Sequence, residues 1–162
     1  MENRTRLIAV SLAVVMFMAG ALRTNAASGS PLKGAWRAVE TGGGQNRAKI
    51  VGMAIFMDTH YSIMYFDAAA ERPDITNIGQ ASADEMRSLW AGWVANTGTY
   101  EVNGDLVTIH PTGAKNPVVM KAGANEVYRF QIDGDMLSWT QQRNARGVAV
   151  TGAPTTKFAR EE

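Results

Sequence analysis

Six side chains that could orient or react with a small molecule lie inside short runs of alternating apolar and polar residues. They are Tyr61, Tyr65, Tyr100, His110, Arg129 and Trp139. An imidazole titrates near neutral pH and can transfer a proton, while phenol, indole and guanidinium groups can hold a ligand by hydrogen bonds. The same residue types also have structural roles, since a tyrosine hydroxyl often bonds at the edge of a core and a lone strand histidine is usually structural or superficial. Their positions in the fold therefore decide between these roles.

The composition excludes several other chemistries. The chain has no cysteine, and so it has no thiol nucleophile, cysteine zinc site, iron–sulfur cluster or lipoprotein-type cysteine anchor. Its two histidines, His60 and His110, lie fifty residues apart without an acidic cluster at metal-ligand spacing. Nucleotide-binding, serine-hydrolase and zinc-protease motifs are absent from the sequence. We predict no cofactor and no metal, and a formal charge of +1 indicates no surface for nucleic acid.

Alternation with a period of two residues dominates the chain beyond residue 34, in short runs that end at turn residues. This pattern is typical of an all-β barrel or sandwich. The predicted strands are residues 35–40, 49–57, 61–66, 99–102, 106–110, 127–132, 136–141 and 155–160, and residues 147–150 are expected to pair with the region before them. Asn103-Gly104-Asp105 and Asp133-Gly134-Asp135 contain the pairs that tolerate positive φ, which predicts two tight hairpins.

One segment departs from this alternation. Ser82 and Glu85 have the spacing of a capping box, which predicts a helix from there to about Ala95. Its apolar residues at helical spacing are Met86, Leu89, Trp90 and Trp93. We expect this face to pack on the sheet or close one end of a barrel, with a lid that opens for a ligand as the alternative. Residues 67–81 before it form a long connection without periodicity, and such connections are functional or mobile.

The direction of Arg129 depends on which face of its strand points inward. If the apolar set Tyr128, Phe130 and Ile132 faces the interior, Arg129 lies in solvent or at the rim, and we favour this arrangement. If Arg129 faces inward instead, it is a buried cation that needs an acidic partner or an anionic ligand.

Several short motifs occur in the order found in one protein family. They are Gly34-Ala35-Trp36-Arg37, the strand from Gly52 to Phe56, His60-Tyr61-Ser62, Arg72-Pro73, Gly98-Thr99-Tyr100-Glu101-Val102, a strand ending at His110, and Val127-Tyr128-Arg129-Phe130 followed by Ile132-Asp133-Gly134-Asp135. Over roughly residues 32–160 the chain resembles the bacterial lipocalin-like domain family. The resemblance implies an all-β fold, an antiparallel barrel of about eight strands with one inserted α-helix and a cavity for one small apolar ligand. It implies no settled activity.

The first 26 residues have the features of a secretory signal peptide. Arg4 and Arg6 precede an uncharged apolar run of sixteen residues, shorter than the ~20 that a membrane-spanning helix needs, and Thr24 and Ala26 provide small residues for cleavage after Ala26. We therefore predict a signal peptide over residues 1–26 and one barrel domain over residues 27–162. The mature protein is expected in the periplasm or outside the cell, without a stable membrane anchor.

Three functions follow from these expectations. The first is binding of a small hydrophobic molecule in the barrel cavity. The second is an enzyme, an isomerase or cyclase, that uses Tyr100, His110 or Glu101 for proton transfer in the same cavity. The third is a packed barrel that acts through a protein partner, with Trp90 or Trp93 exposed on its helix. We favour binding, and the sequence identifies neither the ligand nor the oligomeric state.

Overall fold

The computed structural model describes residues 29–43, 45–70 and 72–161. The predicted signal peptide over residues 1–26 lies outside these described residues. Among them, no helix combines the length and the apolar character that crossing a membrane requires.

Eight antiparallel strands form a closed barrel in which each strand pairs with the next and the last pairs with the first. They are β1 (Gly34–Gly43), β2 (Asn46–Phe56), β3 (His60–Asp67), β4 (Val94–Asn103), β5 (Leu106–Ala114), β6 (Glu126–Asp133), β7 (Met136–Arg143) and β8 (Thr155–Arg160). The predicted all-β barrel with one helix is confirmed. β8 matches its predicted run, the other seven strands extend beyond theirs at one or both ends, and β2 ends at Phe56 rather than at Met57. Residues 147–150 contribute an isolated bridge between Arg143 and Ala149.

Both predicted tight hairpins are present. Asn103 pairs with Leu106 across Gly104 at φ 62°, and Gly134 at φ 56° lies in the equivalent turn between β6 and β7. Gly98 has a different role, because a Cβ there would lie 2.1 Å from the backbone oxygen of His110. A residue without a side chain is therefore required where β4 and β5 approach each other.

The helix, α1 (Ala83–Trp90), begins at the predicted capping box but ends earlier than predicted. Ser82 and Glu85 exchange the two expected hydrogen bonds. The expected end at Ala95 is wrong, because Ala91 adopts an extended conformation, Gly92 turns at φ 70° and Val94 pairs with Tyr65. The last residues that the apolar spacing assigned to the helix therefore belong to β4, where their backbone groups pair with β3. No residue of α1 is buried, and Trp90 is 58% exposed.

The barrel has a closed end, where β2 ends at Phe56 and β3 begins at His60. Leu32 and Trp36 are fully buried there, and the Trp36 indole Nε1 donates a hydrogen bond to the Leu32 carbonyl at 2.7 Å. The Arg160 guanidinium lies 4.0 Å from the centroid of the Trp36 ring. Aromatic and aliphatic side chains from all the strands form one core inside the barrel.

Candidate functional site

A cavity of about 540 Å³ lies at the open end of the barrel, where β3, β5 and β7 end and β4 and β6 begin. Its size is within the range of about 300–1,000 Å³ that is typical of small-molecule sites. The short 3-10 helix Pro117–Met120 and the connection after α1 border it. The lining residues are Tyr65, Trp90, Trp93, Val94, Ala95, Asn96, Ala114, Lys115, Asn116, Pro117, Val119, Glu126, Tyr128 and Gln141.

A polar cluster occupies the wall that β6 and β7 contribute to this open-end cavity. Glu126 is only 8% exposed, and its Oε1 accepts a hydrogen bond of 2.7 Å from the Gln141 amide. The Tyr128 hydroxyl lies 3.4 Å from Glu126 Oε2, and the Tyr128 ring stacks on Trp139 at 4.6 Å between centroids. β6 directs alternate residues inward, which places Glu126 and Tyr128 on the same side as buried Phe130.

Burial decides the protonation behaviour of this cluster. It raises the pKa of the Glu126 carboxyl above the ordinary value of 4.5, and the hydrogen bonds from Gln141 and Tyr128 oppose that rise. Burial also raises the pKa of the hydroxyls of Tyr61, Tyr65 and Tyr128. These hydroxyls therefore remain protonated at neutral pH and can donate hydrogen bonds.

Some buried polar atoms near this cluster have no hydrogen-bond partner among the described residues. The Trp93 indole nitrogen and the Asn96 side-chain oxygen belong to residues that line the open-end cavity, and the Tyr61 hydroxyl lies within the barrel interior. Leaving such a group unpaired costs about 1–3 kcal/mol. Trp93 therefore brings an unpaired donor and Asn96 an unpaired acceptor to the cavity lining, whereas Tyr61 is not a lining residue.

Side-chain contacts hold the rim of the cavity in place. Trp93 stacks on Phe66 with centroids 5.7 Å apart, and the Arg72 guanidinium lies over both rings. The Lys115 ammonium donates to the carbonyls of Trp90 and Trp93 at 2.7 and 2.8 Å. Lys115 therefore ties the end of α1 and the following connection to β5.

The six residues singled out from the sequence lie in three different places. Tyr65 lines the cavity, Trp139 is buried behind Tyr128, and Tyr61 is buried against Phe56. Tyr100 belongs to the closed end, where its hydroxyl donates to the Met57 carbonyl at 2.6 Å.

His110 and Arg129 lie on the outer wall of the barrel. His110 is 3.8 Å from Glu101, and Arg129 forms an ion pair with Asp105 at 2.9 Å. Tyr128 lines the cavity while Arg129 is exposed, which is the arrangement favoured from the strand parity. Neither outer residue is part of the candidate site.

Sequence reasoning missed Glu126, Gln141 and Asn96. Glu126 shares its parity with Tyr128, Phe130 and Ile132, and this signal could have found it once that apolar set was assigned to the interior. The sequence contains no comparable signal for Gln141, which reaches Glu126 only because β6 and β7 pair.

No family model matches the chain, and no curated protein matches it. The fold itself, an eight-stranded antiparallel barrel with one helix, is consistent with a lipocalin-like fold.

Within the described residues, no group of three or more His, Asp or Glu side chains could hold a metal ion. The described lining residues offer hydrogen-bonding groups, aromatic surfaces, the Lys115 ammonium group and the buried Glu126 carboxyl group.

Proposed function

We propose that this protein is an exported member of the bacterial lipocalin-like domain family that binds one small hydrophobic molecule in the open-end cavity. The observation that carries the proposal is the cavity itself, because its aromatic walls surround buried polar atoms that no described residue satisfies. An eight-stranded barrel is wide enough to hold one small ligand when its side chains do not fill it. Export is supported by the sequence of residues 1–26.

The enzyme alternative receives less support from the positions of its residues. Tyr100, His110 and Glu101 were the acids and bases of the enzyme alternative, and none of them lines the cavity. Proton transfer in the cavity would depend on Glu126 instead. The partner-binding alternative expects an exposed tryptophan, and Trp90 is 58% exposed. It also requires a packed barrel, and a cavity of about 540 Å³ argues against that requirement.

A cavity-filling variant tests the binding function. Val94 lines the cavity, and Val94→Trp would place a large side chain inside it. Met64 is exposed on the outer wall and pairs with Ala95, so Met64→Trp is a matched control. The probe is N-phenyl-1-naphthylamine, a neutral apolar dye whose fluorescence rises on binding.

We expect one dye to bind each wild-type and Met64→Trp molecule, and Val94→Trp to weaken binding about tenfold or more because the added volume cannot be accommodated. Equal binding by all three proteins would place the dye elsewhere and contradict the proposal. Native mass spectrometry of protein from the exporting host adds a direct readout of any retained molecule and of cleavage after Ala26.

A further inference from the structure

The open-end cavity is lined by two charged residues among those described, Glu126 and Lys115, and these two do not form an ion pair with each other. The Lys115 ammonium is already bound to two backbone carbonyls at the rim and lies 5.8 Å from the centroid of the Trp90 ring. In the described part of the chain, no basic side chain lies within 4.0 Å of the Glu126 carboxyl group.

The partners of Glu126 within the protein are neutral. The Gln141 amide donates to Oε1 at 2.7 Å, and the Tyr128 hydroxyl lies 3.4 Å from Oε2. A carboxylate has about four acceptor sites, so these two donors leave capacity for another. An ionised carboxyl group that is 8% exposed and lacks a cation is costly, and a cation that enters with a ligand would remove that cost.

The rest of the lining also suits a cation. Tyr65 and Tyr128 bring aromatic side chains to the same cavity as Glu126. Trp93 lines the cavity too, but its ring already packs on Phe66 and Arg72. The face of an aromatic ring attracts a cation within about 6 Å of its centroid, and more strongly where water is excluded. A carboxylate beside aromatic side chains is a combination that favours an ammonium group attached to an apolar body.

We infer that the ligand of the open-end cavity is a small organic cation, a hydrophobic or aromatic molecule bearing a protonated amine that pairs with Glu126. This inference rests on the proposed function and adds the charge of the ligand to it. An organic anion of the same shape would meet the Glu126 carboxylate, and a neutral one would leave that charge uncompensated. The cavity should therefore bind cationic, neutral and anionic ligands of the same shape with different affinities.

Calorimetric titration of the mature protein at pH 7 with three indoles tests this discrimination. Tryptamine carries an ammonium group, 3-ethylindole is its neutral counterpart, and indole-3-acetate carries a carboxylate. We expect tryptamine to bind about tenfold or more tightly than 3-ethylindole, with indole-3-acetate the weakest. Glu126→Gln should lower tryptamine affinity to that of 3-ethylindole and leave 3-ethylindole within about threefold of its wild-type affinity. Glu101→Gln, on the outer wall, is the matched control and should preserve the preference.

The possible outcomes separate the inference from the proposed function. If 3-ethylindole binds as tightly as tryptamine, the amine inference is overturned while the binding function stands. A preference for indole-3-acetate overturns it as well and assigns charge recognition to Lys115. If none of the indoles and no N-phenyl-1-naphthylamine binds, both proposals fail. The wild-type comparison needs no variant, so it remains decisive even if Glu126→Gln does not fold.

Discussion

Hydrogen bonding differs between several buried polar groups at the two ends of this barrel. At the closed end, the Trp36 indole and the Tyr100 hydroxyl each donate to a backbone carbonyl, at 2.7 and 2.6 Å. At the open end, Trp93 and Asn96 keep buried polar atoms without a described partner, and the Glu126 carboxyl group has only neutral donors.

This difference suggests that the same strands stabilise the fold at one end of the barrel and bind a ligand at the other. Satisfied polar groups among close-packed apolar side chains stabilise the closed end. Unpaired polar atoms at the open end reduce stability, and proteins tolerate this where a ligand is to be bound. The comparison leads to four expectations, ordered from the largest effect to the smallest.

Removing the aromatic anchor of the closed end should cause the largest loss of stability. Trp36 is fully buried, and Trp36→Ala should lower the free energy of unfolding by about 3–5 kcal/mol through lost transfer energy and a cavity. Trp90→Ala, at the exposed rim, should cost less than about 1 kcal/mol. Urea denaturation followed by circular dichroism measures both. Equal losses would show that the closed end is not the main source of stability.

Glu126→Gln should change how stability depends on pH. Because the pKa of Glu126 is raised above 4.5 by burial, the folded state holds its proton to higher pH than the unfolded state. Wild-type stability therefore falls as the pH rises from about 4.5 through the raised pKa, and each pKa unit corresponds to about 1.4 kcal/mol. The variant lacks this loss, so its advantage over wild type should grow from pH 4 to pH 7.

The tyrosines near Glu126 do not titrate in this range. Burial raises the pKa of the Tyr61, Tyr65 and Tyr128 hydroxyls, which keeps them neutral. Urea denaturation at several pH values, with Glu101→Gln as the exposed control, gives the comparison. Parallel profiles for wild type and Glu126→Gln would contradict the burial argument.

Two tyrosine hydroxyls provide a matched test of satisfied and unsatisfied groups. Tyr100→Phe removes a hydrogen bond to Met57 and should cost about 1 kcal/mol. Tyr61→Phe removes a buried hydroxyl without a described partner, so it should leave stability unchanged or raise it by up to about 1 kcal/mol. Thermal and urea unfolding of the two variants give the sign. A larger loss for Tyr61→Phe would mean that its hydroxyl is satisfied after all.

Substitutions on the outer wall should have the smallest effects. The Arg129 pair with Asp105 is exposed on both sides, and Arg129→Ala should cost no more than about 1 kcal/mol. His110→Ala and Arg129→Ala should both bind N-phenyl-1-naphthylamine as wild type does. A weaker dye affinity in either variant would bring the outer wall into the binding site.

Local signals in the sequence were sufficient for the framework of the fold. The glycines at positions 104 and 134, the alternation in the strands and the Ser82–Glu85 capping box each depend on residues within a few positions of one another. Of the candidate site, the sequence pointed to Tyr65 and to Trp139, which lies behind Tyr128, as aromatic strand residues. It also favoured the outward position of Arg129, but it did not select Glu126 as a cavity residue.

What the sequence by itself determined is therefore the all-β character, the tight turns and the start of the helix, because short-range backbone preferences and hydrogen bonds decide them. The tertiary structure alone decided where α1 ends, which strand faces point inward and which distant side chains meet. Val94 was expected in the helix but pairs with Tyr65 in the sheet. Gln141 contacts Glu126 because β6 and β7 pair. Closure of the barrel imposes these contacts. It requires the registers of all eight strand pairs to fit together, and no local spacing in the sequence specifies this.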